Sequence, residues 1–93
     1  MSTRTATLVR ITGRVQGVGF RFWTRGEAEA LGLSGWVRNE PDGSVSALLA
    51  GSPEAVAEMI RKLHAGPPGA KVTRVAAEPA DAGSAGNNFH IRP

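Results

Sequence analysis

Ninety-three residues without a cysteine make one small domain that neither a disulfide nor a thiolate-bound metal can stabilise. A hydrophobic fraction of 41% is enough for one core layer between a sheet and a pair of helices, and the longest apolar runs, such as Ala47-Leu48-Leu49-Ala50, are too short to span a bilayer. The net charge of +3, with nine of the eleven basic residues arginine, favours an anionic partner, but it is spread along the chain and forms no nucleic-acid-binding arm.

Residues 1–5 have no apolar stretch behind them, so a flexible tail on a soluble cytoplasmic protein is expected rather than a signal peptide. Residues 6–12 alternate and are rich in β-branched side chains, with Val9 and Ile11 on one face, which predicts a strand. Gly13-Arg14-Val15-Gln16-Gly17-Val18-Gly19-Phe20-Arg21 follows, placing three glycines and two arginines between that strand and a helical segment. Glycine reaches positive φ and lets the backbone approach a ligand closely. Such a turn can aim successive N–H groups at an anion, ahead of a helix N-terminus, and Arg21 adds a planar fork of donors suited to phosphoryl oxygens. On these residues alone, the segment is either a phosphate pocket or a plain strand-to-helix turn.

Arg21 to Leu31 carries helix formers, with Phe20, Thr24, Ala28 and Leu31 spaced onto one face, and Gly32 stops the helix at the left-handed C′ position. Strands are predicted at 34–39 and at 44–50, the latter alternating through Val45, Ala47 and Leu49. Glu40-Pro41-Asp42-Gly43 between them signals a tight turn. Ser52 as N-cap and Pro53 at the first helical position open a second helix, with Val56, Met59, Ile60 and Leu63 as its apolar stripe. Gly66-Pro67-Pro68-Gly69 ends it. A strand over 71–78, a loop over 80–88 and a closing strand over 89–92 complete the chain. The order predicts an α+β fold with residues 1–93 as a single domain. It is a ferredoxin-like βαββαβ sandwich: a mostly antiparallel sheet, two helices on one face and a short extra C-terminal strand. That scaffold serves many functions and selects none.

Gly35-Trp36-Val37-Arg38-Asn39 runs up to the hairpin turn, with Gly43, Val45 and Gly51 at set distances after it. Together with Gly13 to Arg21, this resembles the acylphosphatase family over nearly the whole chain, from the first strand to the final Phe89-His90-Ile91-Arg92. One departure touches the geometry of the last strand: Asn88 stands where a glycine is expected. The resemblance implies hydrolysis of a small-molecule acyl phosphate to a carboxylate and inorganic phosphate. It implies that Arg21 binds the phosphoryl group and that Asn39 positions the attacking water. The backbone N–H groups of Val15, Gln16, Gly17, Val18, Gly19 and Phe20 would hold the phosphoryl oxygens with Arg21.

The chemistry of the two segments agrees with that reading. They contain no His, Asp or Cys, and the nearest carboxylate is Glu40, so they offer no obvious nucleophile, metal cage or general acid. Phosphoryl transfer proceeds mainly by positioning and by charge stabilisation on the phosphoryl oxygens. A carboxylate leaving group, whose parent acid has a pKa of about 4, departs without protonation, whereas an alkoxide does not. Asn39 is no base, but it can accept a hydrogen bond from water and aim a lone pair at phosphorus. No cofactor and no metal are expected, and the protein is expected to be a monomer with neither a nucleic-acid nor a membrane partner.

Other residues read as structural. His64 near the end of the second helix complements its dipole, His90 faces solvent, and two isolated histidines make no metal site. Trp36 is expected to pack, Phe22 and Trp23 to anchor the first helical turn with one of them able to flank an acyl group, Arg14 to sit at the pocket rim and Arg38 to be solvated. Glu54, Glu58, Arg61 and Lys62 form a charged helix face. An RNA-recognition module shares the element order, but it stacks bases on strand-borne aromatics, and residues 6–12 and 44–50 carry none. A P-loop fails because Gly13 and Gly19 bracket five positions and Phe20-Arg21 replaces Lys-Ser/Thr; a dinucleotide fingerprint fails because Phe22 occupies the third glycine position.

Overall fold

The structure is a computed structural model and describes residues 3–93. Its elements are β1 (Thr5–Arg14), α1 (Phe20–Ala30), β2 (Ser34–Asn39), β3 (Val45–Gly51), α2 (Pro53–Ala65), β4 (Lys71–Pro79), a 3₁₀ turn (Ala82–Ser84) and β5 (Phe89–Ile91). They form one five-stranded sheet in the order β4-β1-β3-β2-β5. The β1–β3, β1–β4 and β2–β3 pairs are antiparallel, and only β5 runs parallel to its neighbour β2. The expected ferredoxin-like arrangement is the one observed, and β1 and β2 are next-neighbours with β3 between them.

Alternation decides which face of the sheet is covered. Val9 and Ile11 of β1, Val45, Ala47 and Leu49 of β3, Val37 of β2 and Phe89 of β5 share a buried cluster with Phe20 and Ala28 of α1 and Val56, Met59 and Leu63 of α2. Both helices therefore lie on one face, and each fully buried Leu, Val or Met contributes about 1.5–3 kcal/mol relative to exposure. The ion pair Arg10–Asp42 (3.3 Å) is exposed, where solvent screening leaves it little net contribution. Packing, not surface charge, holds this fold. On the opposite face, Ala6, Leu48, Ala50 and Ala85 form a small second cluster flanked by Trp36, Ala80 and Ala82, so the loop after β4 is partly a lid on the sheet.

Helix ends follow local chemistry. Gly32 at φ 72° lets the Leu33 N–H reach Ala28 O (2.9 Å) and the Gly32 N–H reach Glu29 O (3.0 Å), a Schellman stop that buries Leu33. The α2 N-terminus is closed by the Ser52 side chain, which accepts from the Ala55 N–H at 3.2 Å.

Strand limits differ from expectation by one or two residues in β1, β3, β4 and β5. β1 begins at Thr5, which pairs with Gly51, while Met1 and Ser2 of the expected tail lie outside the described residues. β1 also continues through Gly13 and Arg14, because a register shift at Thr12/Gly13 lets them pair with Val72 and Lys71. The first glycine of the motif therefore belongs to the sheet. β3 starts at Val45, since Ser44 is held in the turn by Asp42. At the departure noted above, the Asn88 carbonyl accepts the Gly35 N–H at 2.9 Å, so β5 still docks on β2.

Candidate active site

Between β1 and α1 the backbone turns through two left-handed glycines. Gly17 and Gly19 take φ 75° and 74°, in the left-handed region that L side chains avoid. Val15 and Phe20 at the two ends are buried at 1% and 2% exposure, so the loop is pinned at its feet while the two glycines face open space. Gly19 is also the N-cap of α1, and it supplies no side-chain hydrogen bond. The first intrahelical bond across this end runs from the Trp23 N–H to Gly19 O (3.0 Å). The amides of Phe20, Arg21 and Phe22 thus begin the helix with no acidic residue in the first turn and no cap. α2, by contrast, has a serine cap and Glu54. One helix is finished internally, and the other presents donors and partial positive charge.

The same helix start borders a cleft of about 130 Å³ lined by Val15, Gln16, Gly17, Gly19, Phe20, Arg21, Phe22 and Asn39. Two strand ends and a helix start meet there: the loop follows β1, Arg21 and Phe22 lie in the first turn of α1, and Asn39 is the last residue of β2. The half-buried Arg21 makes no ion pair among the described residues, and neither Arg21 nor the Asn39 side chain has a hydrogen-bond partner there. Of the sequence-predicted site residues only Val18 is not in the lining; its side chain packs against the core instead.

A brace that sequence reading missed joins the two motif segments. Gln16 Nε2 donates to Glu40 O at 2.8 Å and to Ser44 O at 2.9 Å. The side chain thereby ties the glycine loop to the hairpin that follows Asn39, fixing one half of the cleft against the other. A polar residue between two glycine-rich positions was the sole signal, and a solvated residue gives the same one.

The carboxylates nearby are already engaged. Glu40 accepts from Arg38 Nε at 2.8 Å, and the Arg38 and Ser46 side chains hold its carboxyl below the usual value of 4.5. Asp42 accepts from the Ser44 hydroxyl (2.6 Å) and the Ser44 N–H (2.9 Å), which lower its carboxyl below 3.8. Both stay ionised at neutral pH, and neither lines the cleft. A depressed native pKa means stabilisation that is complete above the unfolded value and lost as pH falls through the native one. The Ser44 amide resonance is therefore expected to shift with a midpoint below 3.8, and Asp42→Ala to abolish that transition. A midpoint at or above that value contradicts the assignment.

Trp36 packs, as expected, against the small second cluster and between the Arg38 and Arg92 guanidiniums, at 4.9 and 5.0 Å from its ring centre, and does not line the cleft. Three other expectations need correction. Arg38 is accordingly engaged rather than simply solvated. Arg14, paired with Lys71 in the sheet, does not line the cleft. Trp23 does anchor the helix start, packing edge-on to Phe20 at 5.6 Å, but Phe22 does not: it is 66% exposed. The charged helix face is present, with Arg61 paired to Glu58 and Lys62 reaching Glu27 of α1 at 3.0 Å.

A larger cleft, about 300 Å³, lies at the other end of β2 beside Arg4, Ser34 and Ser52. Its one cation, Arg4, is spent on the Ser34 hydroxyl and the Gly86 carbonyl, leaving no free donor fork. Among the described residues there is no group of three or more His, Cys, Asp or Glu, and no helix long and apolar enough to cross a membrane.

Comparison with known proteins gives a consistent result. The acylphosphatase family profile matches residues 7–91. An acylphosphatase of Rhizobium meliloti (strain 1021) is 61% identical over 88 residues, covering 95% of this chain and 93% of its own. The solved acylphosphatase of Coxiella burnetii superposes with a TM-score of 0.91 at 35% identity, covering 96% of this chain and 93% of that one. That of Bacillus subtilis also gives 0.91, at 32% identity and with 96% and 99% covered.

Proposed function

The chain belongs to the acylphosphatase family, and from that premise we propose how its cleft hydrolyses an acyl phosphate. The amides of Val15 to Phe20 and the Arg21 guanidinium bind the three phosphoryl oxygens and strengthen their hold as charge shifts in the transition state. Asn39 accepts a hydrogen bond from a water and holds its lone pair toward phosphorus. The water oxygen forms a bond to phosphorus, the bond from phosphorus to the acyl oxygen breaks, and the carboxylate leaves with the electron pair. A phosphoryl oxygen takes the water's proton. No protein acid or base is required, because the leaving carboxylate is stable as it departs.

One observation carries this reading: an uncapped helix start borders the same small cleft as a guanidinium and a side-chain amide that have no partner among the described residues. The same proposal includes metal and cofactor independence, a cytoplasmic monomer, and no nucleic-acid or membrane partner. Its test is inorganic phosphate release from acetyl phosphate with a strong chelator present. Turnover unaffected by chelator, and far slower on an alkyl phosphomonoester, is expected. Loss of turnover with chelator removes the metal-free mechanism. Phosphate binding without any hydrolysis would make the cleft an anion-binding site only.

A further inference from the structure

We propose that Phe22 determines acyl-group specificity, favouring acyl phosphates whose acyl part is aromatic or an extended apolar chain. This rests on the cleft being the acyl-phosphate site. At about 130 Å³ the cleft is well below the ~300 Å³ at which pockets for drug-sized ligands begin, so it encloses a phosphoryl group and leaves the acyl group outside. What lies at its mouth then decides which acyl groups gain a contact.

Phe22 is the one large exposed hydrophobic side chain among the described residues, and it lines this cleft, next in sequence to Arg21. A lone exposed aromatic elsewhere on a surface would need no explanation. Here its neighbours Phe20 and Trp23 pack against each other, while the intervening ring is left in water. The Arg25 guanidinium, one helical turn on, lies 5.6 Å from the Phe22 ring centre, covering one side of the ring and steadying it. In-line displacement puts the attacking water and the leaving oxygen on opposite sides of phosphorus. Asn39 lines the cleft from the end of β2 and Phe22 from the start of α1, so a water held by Asn39 would leave the acyl group to depart on the side away from β2. Phe22 stands on that flank.

The test compares benzoyl phosphate with acetyl phosphate as substrates for wild type, Phe22→Ala and Phe22→Tyr. The ratio of kcat/KM for benzoyl to acetyl phosphate is expected to fall about fivefold in Phe22→Ala, mainly through KM, and to hold within about twofold in Phe22→Tyr. An unchanged ratio in Phe22→Ala with an active wild type overturns the assignment and leaves the hydrolytic reading intact. Calorimetric binding of phenylphosphonate and methylphosphonate, which cannot be hydrolysed, separates the two ideas. If wild type hydrolyses neither acyl phosphate, the hydrolytic reading fails on its own. The Phe22 assignment then stands only if Phe22→Ala still loses about fivefold of the preference for phenylphosphonate.

Discussion

Arg21→Gln is expected to lower kcat/KM for acetyl phosphate about a thousandfold, with weaker binding of substrate and of inorganic phosphate. Glutamine keeps a polar side chain of similar reach, but it loses the charge and the two-pronged geometry that matches phosphoryl oxygens. A thousandfold is about 4 kcal/mol, a plausible size for one charge-assisted bidentate contact in a partly enclosed cleft. Fold loss is not the cause, and the structure gives a way to prove it. Arg21 lies in the first turn of α1, where a cation opposes the helix dipole, and it has no ion-pair partner among the described residues. Removing that charge is expected to stabilise the protein by about 0.3–1 kcal/mol, so activity and thermal stability should move in opposite directions. Arg21→Lys, which keeps the charge without the fork, should fall between wild type and Arg21→Gln. Wild-type rates in Arg21→Gln, or a drop in melting temperature that accounts for the loss, would remove Arg21 from the phosphoryl site.

The sequence made the fold legible because each element carried its own signal. Alternation at Val9/Ile11 and at Val45/Ala47/Leu49 marked the covered sheet face, and Ser52-Pro53 and Gly32 marked helix ends with known chemistry. What it hid were features made by pairing across long sequence separations. Gly13 and Arg14 look like loop residues, and only the bulged pairing with β4 places them in the sheet. Trp36 sits amid a strand with alternation on both sides, and only β5 and Arg92 show which face it uses. The same distinction applies to the cleft. Its glycines and arginine were visible as a contiguous motif, whereas the Gln16 brace spans 24 and 28 residues and leaves no periodic trace. Three aromatics in four positions look like one anchor in the sequence, and helical geometry packs Phe20 with Trp23 while leaving Phe22 exposed.

Asn39→Ala is expected to reduce kcat about a hundredfold while KM and the inhibition constant for inorganic phosphate stay within about twofold. The split follows from the proposed role: a side chain that holds the water and not the phosphoryl group would contribute only as the bond to phosphorus forms. Truncation leaves the surroundings in place. Asn39 pairs through its backbone with Val45, and the adjacent hairpin is held to the glycine loop by Gln16. Asn39→Asp tests the other half of the argument. A carboxylate there could still orient water, but it would stand as a like charge beside the phosphoryl anion, and affinity should fall along with rate. If Asn39→Ala instead raised KM a hundredfold with kcat intact, Asn39 would be a binding residue and the water would have to be held elsewhere. The alternative in the same lining is then Gln16, whose amide nitrogen is committed to the hairpin while its Oε1 stays an acceptor; the rest are apolar side chains, glycines and Arg21. The proposed reaction needs a neutral acceptor for the water, and an Asn39→Ala, Gln16→Ala comparison assigns that role to one of the two side-chain amides that line the cleft.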